Sequence, residues 1–283
     1  MKDPGLPTAY SIALALQRVL PRSWLAVGAN LVMAAKRDRR RFAVDRSGNW
    51  INIQPEGSLV GPDLHTAYFA QVQSAVGSYW FDEYTPRGGD IVVDVGAGIG
   101  EDALVLSHMV GPSGRVHAIE AHPGTFACLD STVKRSRLAN VDTYQLAITE
   151  QNGTVSISDD AHHLANSIVG QSGGLEVEAQ SLDQFIRHAG HSTIDLLKMN
   201  IEGAERAAML GLDREAGKVR HLAISCHDFV AEKGGGEQFR TKEAVRRRLL
   251  DLGYAVSERT NASTPWEADV LFARRASTDR DLD

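Results

Sequence analysis

The chain has 283 residues, 43% hydrophobic and 23% charged, the make-up of an ordinary globular protein with enough apolar material for a large core. A formal net charge of −6 argues against a broad nucleic-acid-binding surface. Only Cys128 and Cys226 occur, in no motif spacing, which argues against a disulfide framework or a zinc site and fits a reducing, cytoplasmic compartment.

In chain order, residues 11–20 and 24–35 are both apolar-rich. Gln17 and Arg18 interrupt the first. The second contains Gly28 and Asn30 and stops well short of the ~20 residues a membrane span requires. No span is predicted; both stretches are expected as helices that pack on the main domain or cap its active site. The run Lys36-Arg37-Asp38-Arg39-Arg40-Arg41 reads either as a solvated face or as a contact for an anionic substrate or lipid. Residues 41–62 contain two turn signals, Ser47-Gly48-Asn49 and Pro55-Glu56-Gly57, and read as a small hairpin. An amphipathic helix is predicted over 64–84, carrying Tyr68, Phe69, Val72, Val76, Tyr79 and Trp80. A break at 85–90 then divides an N-terminal extension, 1–88, from a main domain, 89–276. A polar tail, 277–283, is expected to be disordered.

Beyond the break, strands and helices alternate as in a parallel α/β sheet. Strands are expected at 91–95, 115–120, 143–146, 194–199 and 219–225, with an antiparallel pair at 254–257 and 268–273. Helices are expected at 123–137, 181–189, 203–210 and 241–252. Between 153 and 180 the alternation lapses into two short β-like pieces around a polar, Gly-rich stretch. A loop of that length in a compact domain is functional or mobile.

The most informative run is Ile91-Val92-Val93-Asp94-Val95-Gly96-Ala97-Gly98-Ile99-Gly100, a buried strand that ends in an acid and a glycine turn and opens into a helix. Glycines let the backbone bend sharply and approach a ligand, and the helix start offers free N–H groups. Dinucleotide fingerprints space their glycines at relative positions 0, 2 and 5; here they fall at 0, 2 and 4. The next strand ends in Glu120, where an acid accepts hydrogen bonds from ribose hydroxyls in doubly wound sheets. Together these features point to S-adenosylmethionine (SAM). The plainer account is that Glu120 caps a turn and the glycines only tighten a connection. The fourth and fifth strands end in Lys198-Met199-Asn200-Ile201-Glu202-Gly203-Ala204-Glu205 and Ser225-Cys226-His227-Asp228, bringing an amide, carboxylates and an imidazole to the same sheet edge.

These segments resemble the FkbM-type family of SAM-dependent methyltransferases, from about residue 90 to 228 and more loosely to the end. The resemblance implies a class I (Rossmann-like) fold, a seven-stranded doubly wound α/β sheet, here with a helical N-terminal extension. Tyr68, Phe69, Tyr79 and Trp80, on the helix that leads into the cofactor strand, are the reason to expect that extension to cover the acceptor site. It implies SAM as cofactor and a hydroxyl group of a sugar, polyketide or other natural product as acceptor, an amine being the alternative. Asp94, Gly96, Gly98, Gly100 and Glu120 fall on cofactor positions. With Ala97, Glu101, Ala121, Ala147 and Asn200 they make up the expected cofactor set. Two departures stand out: Ala121 and His122 separate Glu120 from Pro123, where the acid is usually followed by proline, and Asn200 stands where many relatives carry aspartate.

His227, Asp228, Asn200 and Glu202 are the candidate catalytic residues. An alcohol needs base assistance, which an imidazole titrating near neutrality can give, with Asp228 orienting it or binding the acceptor. Glu202 and Glu205 alternatively cap the following helix or pair with Lys198, whose place in an apolar strand demands a partner. A divalent metal held by Asn200, His227 and Asp228 is a second, unfavoured route, and no metal ligands are assigned. The expected partner is a small-molecule acceptor, without nucleic acid or membrane span, and a homodimer is left open. An NAD-dependent oxidoreductase and a non-catalytic SAM-binding module are the competing readings.

Overall fold

A computed structural model describes residues 20–158 and 174–275. The expected helix at 11–20 therefore falls almost wholly outside the described residues, as do the centre of the 153–180 segment and the C-terminal tail. The N-terminal extension contains α1 (Arg22–Ala35), β1 (Arg41–Val44), β2 (Trp50–Gln54), β3 (Gly57–Gly61) and α2 (Phe69–Trp80). The single hairpin expected here is a three-stranded antiparallel meander, because both turn signals are used. The helix expected over 64–84 is shorter at each end. Its upstream backbone is taken by tertiary hydrogen bonds: Asn52 and Gln54 side-chain amides donate to the Ala67 carbonyl at 3.1 and 3.0 Å. Gln71 then accepts from the Tyr68 N–H at 2.9 Å and starts the helix.

The main domain runs on as β4 (Ile91–Val95), α3 (Glu101–Val110), β5 (Arg115–Glu120), α4 (Pro123–Ser136), β6 (Val141–Gln145), β7 (Ala147–Ile148), β8 (Gly153–Ile157) and β9 (Leu175–Gln180). It continues with α5 (Leu182–Ala189), β10 (Ile194–Met199), α6 (Glu205–Leu210), β11 (Val219–Ser225), α7 (Asp228–Glu232), α8 (Lys242–Asp251), β12 (Tyr254–Glu258), α9 (Pro265–Ala268) and β13 (Val270–Arg275). Seven strands form the central sheet in the order β12-β13-β11-β10-β4-β5-β6. Strands β11, β10, β4, β5 and β6 pair in parallel, while β13 runs antiparallel to both neighbours. This is the seven-stranded mixed sheet of class I methyltransferases that the motifs imply. The two β-like pieces of the 153–180 segment are β8 and β9, an antiparallel pair joined by β7 into a small separate sheet.

Strand periodicity divides the core. Val93, Val95, Leu197, Met199, Leu222 and Ile224 face α5, α6 and α8. Their alternates Val92, Leu196, Ala223, Val116 and Ala118 face α2, α3 and α4. The extension packs on this second side, where Thr132 of α4 accepts from the Val60 N–H of β3 at 3.0 Å and Ser136 accepts from the Ser58 N–H at 2.8 Å.

Candidate active site

The cofactor turn lies at the carboxyl ends of β4 and β5, where an open parallel sheet gathers its ligands. The N–H groups of Gly96 and Ala97 both donate to the Ile119 carbonyl at 2.9 Å, which folds the turn back on β5. Gly96 has φ +76, and a Cβ there would stand 1.9 Å from the Asn200 carbonyl oxygen, so only glycine fits between β4 and the end of β10. Gly96→Ala is expected to displace the segment after β10 and abolish SAM binding; calorimetric affinity equal to wild type would contradict this close approach. Gly98, with φ +57, has open space where a side chain would point, and it lines the cleft.

Glu120 stands at the floor of that cleft. Its two carboxylate oxygens accept from the Gly98 N–H at 3.0 Å and the His122 N–H at 2.9 Å. Burial pushes its pKa up to about 7, against the downward pull of those two backbone donors. Each oxygen keeps a lone pair for a further donor. Ala121, Ala147, Ile148, Ile157 and Ile201 form apolar walls around the carboxylate. A glycine cradle, a carboxylate for vicinal hydroxyls and flat apolar walls for a purine fit SAM. Gly96, Gly98, Glu120, Ala121, Ala147, Asn200 and Glu202 of the expected set are brought together here.

Four expected cofactor residues stand behind the cleft. Asp94 is fully buried beneath the turn, where Lys198 Nζ lies 2.8 Å from its carboxylate and 2.9 Å from that of Asp102. The same ammonium donates to the Gly96 carbonyl at 3.1 Å and sits 4.8 Å from the centre of the Trp80 ring. Burial lifts Asp94 to about 6, yet the two carboxylates hold Lys198 above the ordinary lysine value, so Asp94 and Lys198 form an ion pair at neutral pH. Ala97 is buried. Gly100 serves packing, since a Cβ there would press on Leu129 and Thr132 of α4 at 3.0 and 3.1 Å. The Glu101 carboxylate faces His65 Nδ1 at 3.2 Å.

Lys198 therefore does not pair with Glu202 or Glu205. It points to the same sheet face as Asp94, its register partner on β4, whereas the two glutamates lie past the end of β10 beside His227. His227 is 3% exposed and clamped from both sides: Nδ1 is 2.7 Å from Glu205 Oε1 and Nε2 is 3.3 Å from Glu202 Oε1. Glu205, itself fully buried, also accepts from the Gly203 N–H at 3.0 Å and the Thr241 hydroxyl at 2.8 Å. Burial alone would lower the imidazole pKa, but hydrogen bonds to Glu202 and Glu205 and their charges outweigh it and raise it to about 10. At neutral pH the ring is an imidazolium with both nitrogens engaged. An imidazolium has no lone pair with which to take a proton, which speaks against the base role expected from the position of His227 in the sequence.

Asp228 does not orient His227 either. Its Oδ1 accepts from the N–H groups of Thr241 and Lys242 at 2.8 and 2.9 Å, holding the start of α8. Asn200 contributes its backbone, its N–H donating to the Val95 carbonyl at 2.9 Å, and lines the cleft. Among the described residues no three of His, Cys, Asp and Glu are grouped to hold a metal ion. The Thr241–Glu205 bond and the Asp102–Trp80 lid over Lys198 had no motif to announce them; only an unpaired Lys in an apolar strand signalled that a buried partner had to exist.

Residues 94–256 match the family model of the FkbM methyltransferase domain. The chain belongs to that family. Membership in the FkbM methyltransferase domain family implies SAM as methyl donor. A similar curated protein is 31-O-demethyl-FK506 methyltransferase FkbM of Streptomyces tacrolimicus, 28% identical over 177 residues that cover 50% of this chain and 67% of that one. A shorter stretch of 82 residues, 29% of this chain, is 38% identical to 4% of the AMB antimetabolite synthetase AmbE of Pseudomonas aeruginosa. Among solved structures, a methyltransferase FkbM from Methylobacillus flagellatus aligns with TM-score 0.48 and 17% identity over 72% of this chain and 58% of that chain. This chain thus spans less than two thirds of the FkbM-family structure it matches. No helix among the described residues is long and apolar enough to cross a membrane.

Proposed function

We propose that this protein transfers a methyl group from SAM to a hydroxyl oxygen of a small natural product or glycoside, with Glu202 as the proton acceptor. The observation that carries this reading is Glu202 in the lining of the cofactor cleft, its carboxylate 3.3 Å from an imidazolium that is itself anchored to buried Glu205.

Bound SAM supplies a methyl group on a sulfonium, an electrophile that needs an aligned acceptor and an outlet for its proton. Glu202 supplies the outlet. Its backbone is held at φ +49, a left-handed conformation that a non-glycine residue adopts at a cost of about 1 to 3 kcal/mol, and such strain gathers at functional sites. His227 acts as a positioning residue: its Nε2 donates to Glu202 and holds the carboxylate. Tyr79 of α2 marks the acceptor side. Its hydroxyl lies 2.9 Å from Ser225 Oγ at the end of β11 and donates to the Trp266 carbonyl at 3.2 Å. Beyond it, Ser78, Asp82, Arg259, Thr260 and Asn261 line a polar cleft suited to a hydroxylated molecule. In this reading the acceptor-covering role expected for residues 1–88 falls to α2, whose Tyr79 reaches the end of β11.

The relative FkbM is named for methylation at an oxygen, which supports the same class of acceptor here. The test is a SAM-coupled screen of hydroxylated and aminated natural products, with S-adenosylhomocysteine release as the readout. Turnover on hydroxylated acceptors that Glu202→Gln suppresses is expected. Turnover confined to amines, or no turnover with any acceptor despite tight SAM binding, would contradict the reading.

A further inference from the structure

Helix α1 is apolar on both sides. Its inner side is accounted for: Ala26 is buried against Phe42 and Trp50, with Leu25, Ala29 and Met33 packed around them. The Asn30 side chain exchanges two hydrogen bonds with the Phe42 backbone, at 2.8 and 2.7 Å. Among the described residues nothing covers the outer side. Trp24, Val27, Leu31 and Val32 are 70%, 61%, 69% and 48% exposed, and Gly28, Ala34 and Ala35 between and after them are exposed too. A helix on a protein surface ordinarily turns charged or polar residues outward. Here no acidic or basic side chain stands between Arg22 and Lys36. A contiguous exposed apolar face of this kind marks an interaction surface.

The charged segment directly after α1 indicates the kind of surface that covers it. Lys36, Arg37, Arg39 and Arg41 are exposed and take part in no salt bridge among the described residues, whereas Arg40 is withdrawn against Asp38 at 2.7 Å. Four uncompensated cations beside an apolar helix face, on a chain of net charge −6, complement an anionic phospholipid surface. A second copy of the chain fits less well. α1 carries no acidic residue, so pairing α1 with itself brings no counter-charge to those cations.

We propose that α1 seats the protein on the surface of anionic bilayers, with Trp24, Val27 and Leu31 entering the headgroup boundary and Lys36, Arg37, Arg39 and Arg41 meeting lipid phosphates. Helix α1, 14 residues long, lies on the membrane and does not span it. The test is co-sedimentation of the full chain with vesicles of phosphatidylcholine alone and of phosphatidylcholine mixed with phosphatidylglycerol, alongside measurement of its oligomeric state.

Binding to the mixed vesicles, weakened by salt, is expected. Replacing Lys36, Arg37 and Arg39 together by Gln should weaken it about 100-fold, at roughly fivefold per cation. Trp24→Glu with Leu31→Glu should remove it while leaving SAM affinity and melting temperature unchanged, since neither side chain is buried. Failure of the full chain to bind the mixed vesicles would overturn the proposal, whether it runs as a monomer or as a dimer that the double variant splits. Equal binding to both vesicle types would overturn the electrostatic part.

Discussion

Lys198→Met should lower the free energy of unfolding by about 3 to 5 kcal/mol, the range for removing one member of a buried ion cluster. The reason is asymmetry. Lys198 is 2% exposed and serves two carboxylates and the Gly96 carbonyl at once; without it, fully buried Asp94 keeps its desolvation cost and loses its counter-charge. The cluster also ties the glycine turn on β4 to the first turn of α3 and to Trp80 of α2, whose indole N–H donates to Asp102 at 3.0 Å. Loss of stability should therefore come with loss of SAM binding. Adding Asp94→Asn to Lys198→Met should restore part of the stability, because the stranded charge is gone. Denaturant midpoints give the values, and a single variant as stable as wild type would show that the cluster is not what holds the turn.

Glu202→Gln should lower kcat by about 100-fold or more with SAM affinity nearly unchanged, the scale for loss of a general base. The substitution preserves shape and still accepts the His227 hydrogen bond, so a merely structural role would leave kcat close to wild type. The pH profile separates the two candidates for the base. A free histidine would produce a rise through about 6.5. With His227 raised to about 10, no inflection is expected near 6.5, and activity should fall as the imidazolium is lost at the alkaline end. Stability has the same sign. An imidazole of ordinary pKa when unfolded and about 10 when folded contributes its full stabilisation below about 6.5 and loses it as pH rises through about 10.

Much of this was legible in the amino-acid sequence wherever a local pattern carries the information. Ile194–Met199 and Val219–Ser225 can be read to the residue because apolar β-formers dominate each, interrupted by Asp195 and Lys198 in the first and by Arg220 and His221 in the second. The glycine turn and Glu120 were equally readable, since backbone reach and a carboxylate at a strand end are local requirements. The side-chain pairings were not. Whether Lys198 turns to Asp94 or to Glu202 depends on the pleat and on where the chain goes after β10. Whether His227 is a base or an imidazolium depends on Glu205, which Thr241 and the Gly203 N–H hold in place from opposite directions in the chain. The short α2 has the same origin, because the Ala67 carbonyl is claimed by residues of β2.

SAM calorimetry on the wild-type protein and on Glu120→Ala tests the central claim, that the glycine turn and Glu120 form a seat for SAM. SAM should bind, NAD should bind far more weakly, and the variant should lose about 1 to 3 kcal/mol of SAM affinity while remaining folded, the range for hydrogen bonds to a charged group. Equal SAM affinity in a folded Glu120→Ala variant, or tighter binding of NAD than of SAM, would contradict it.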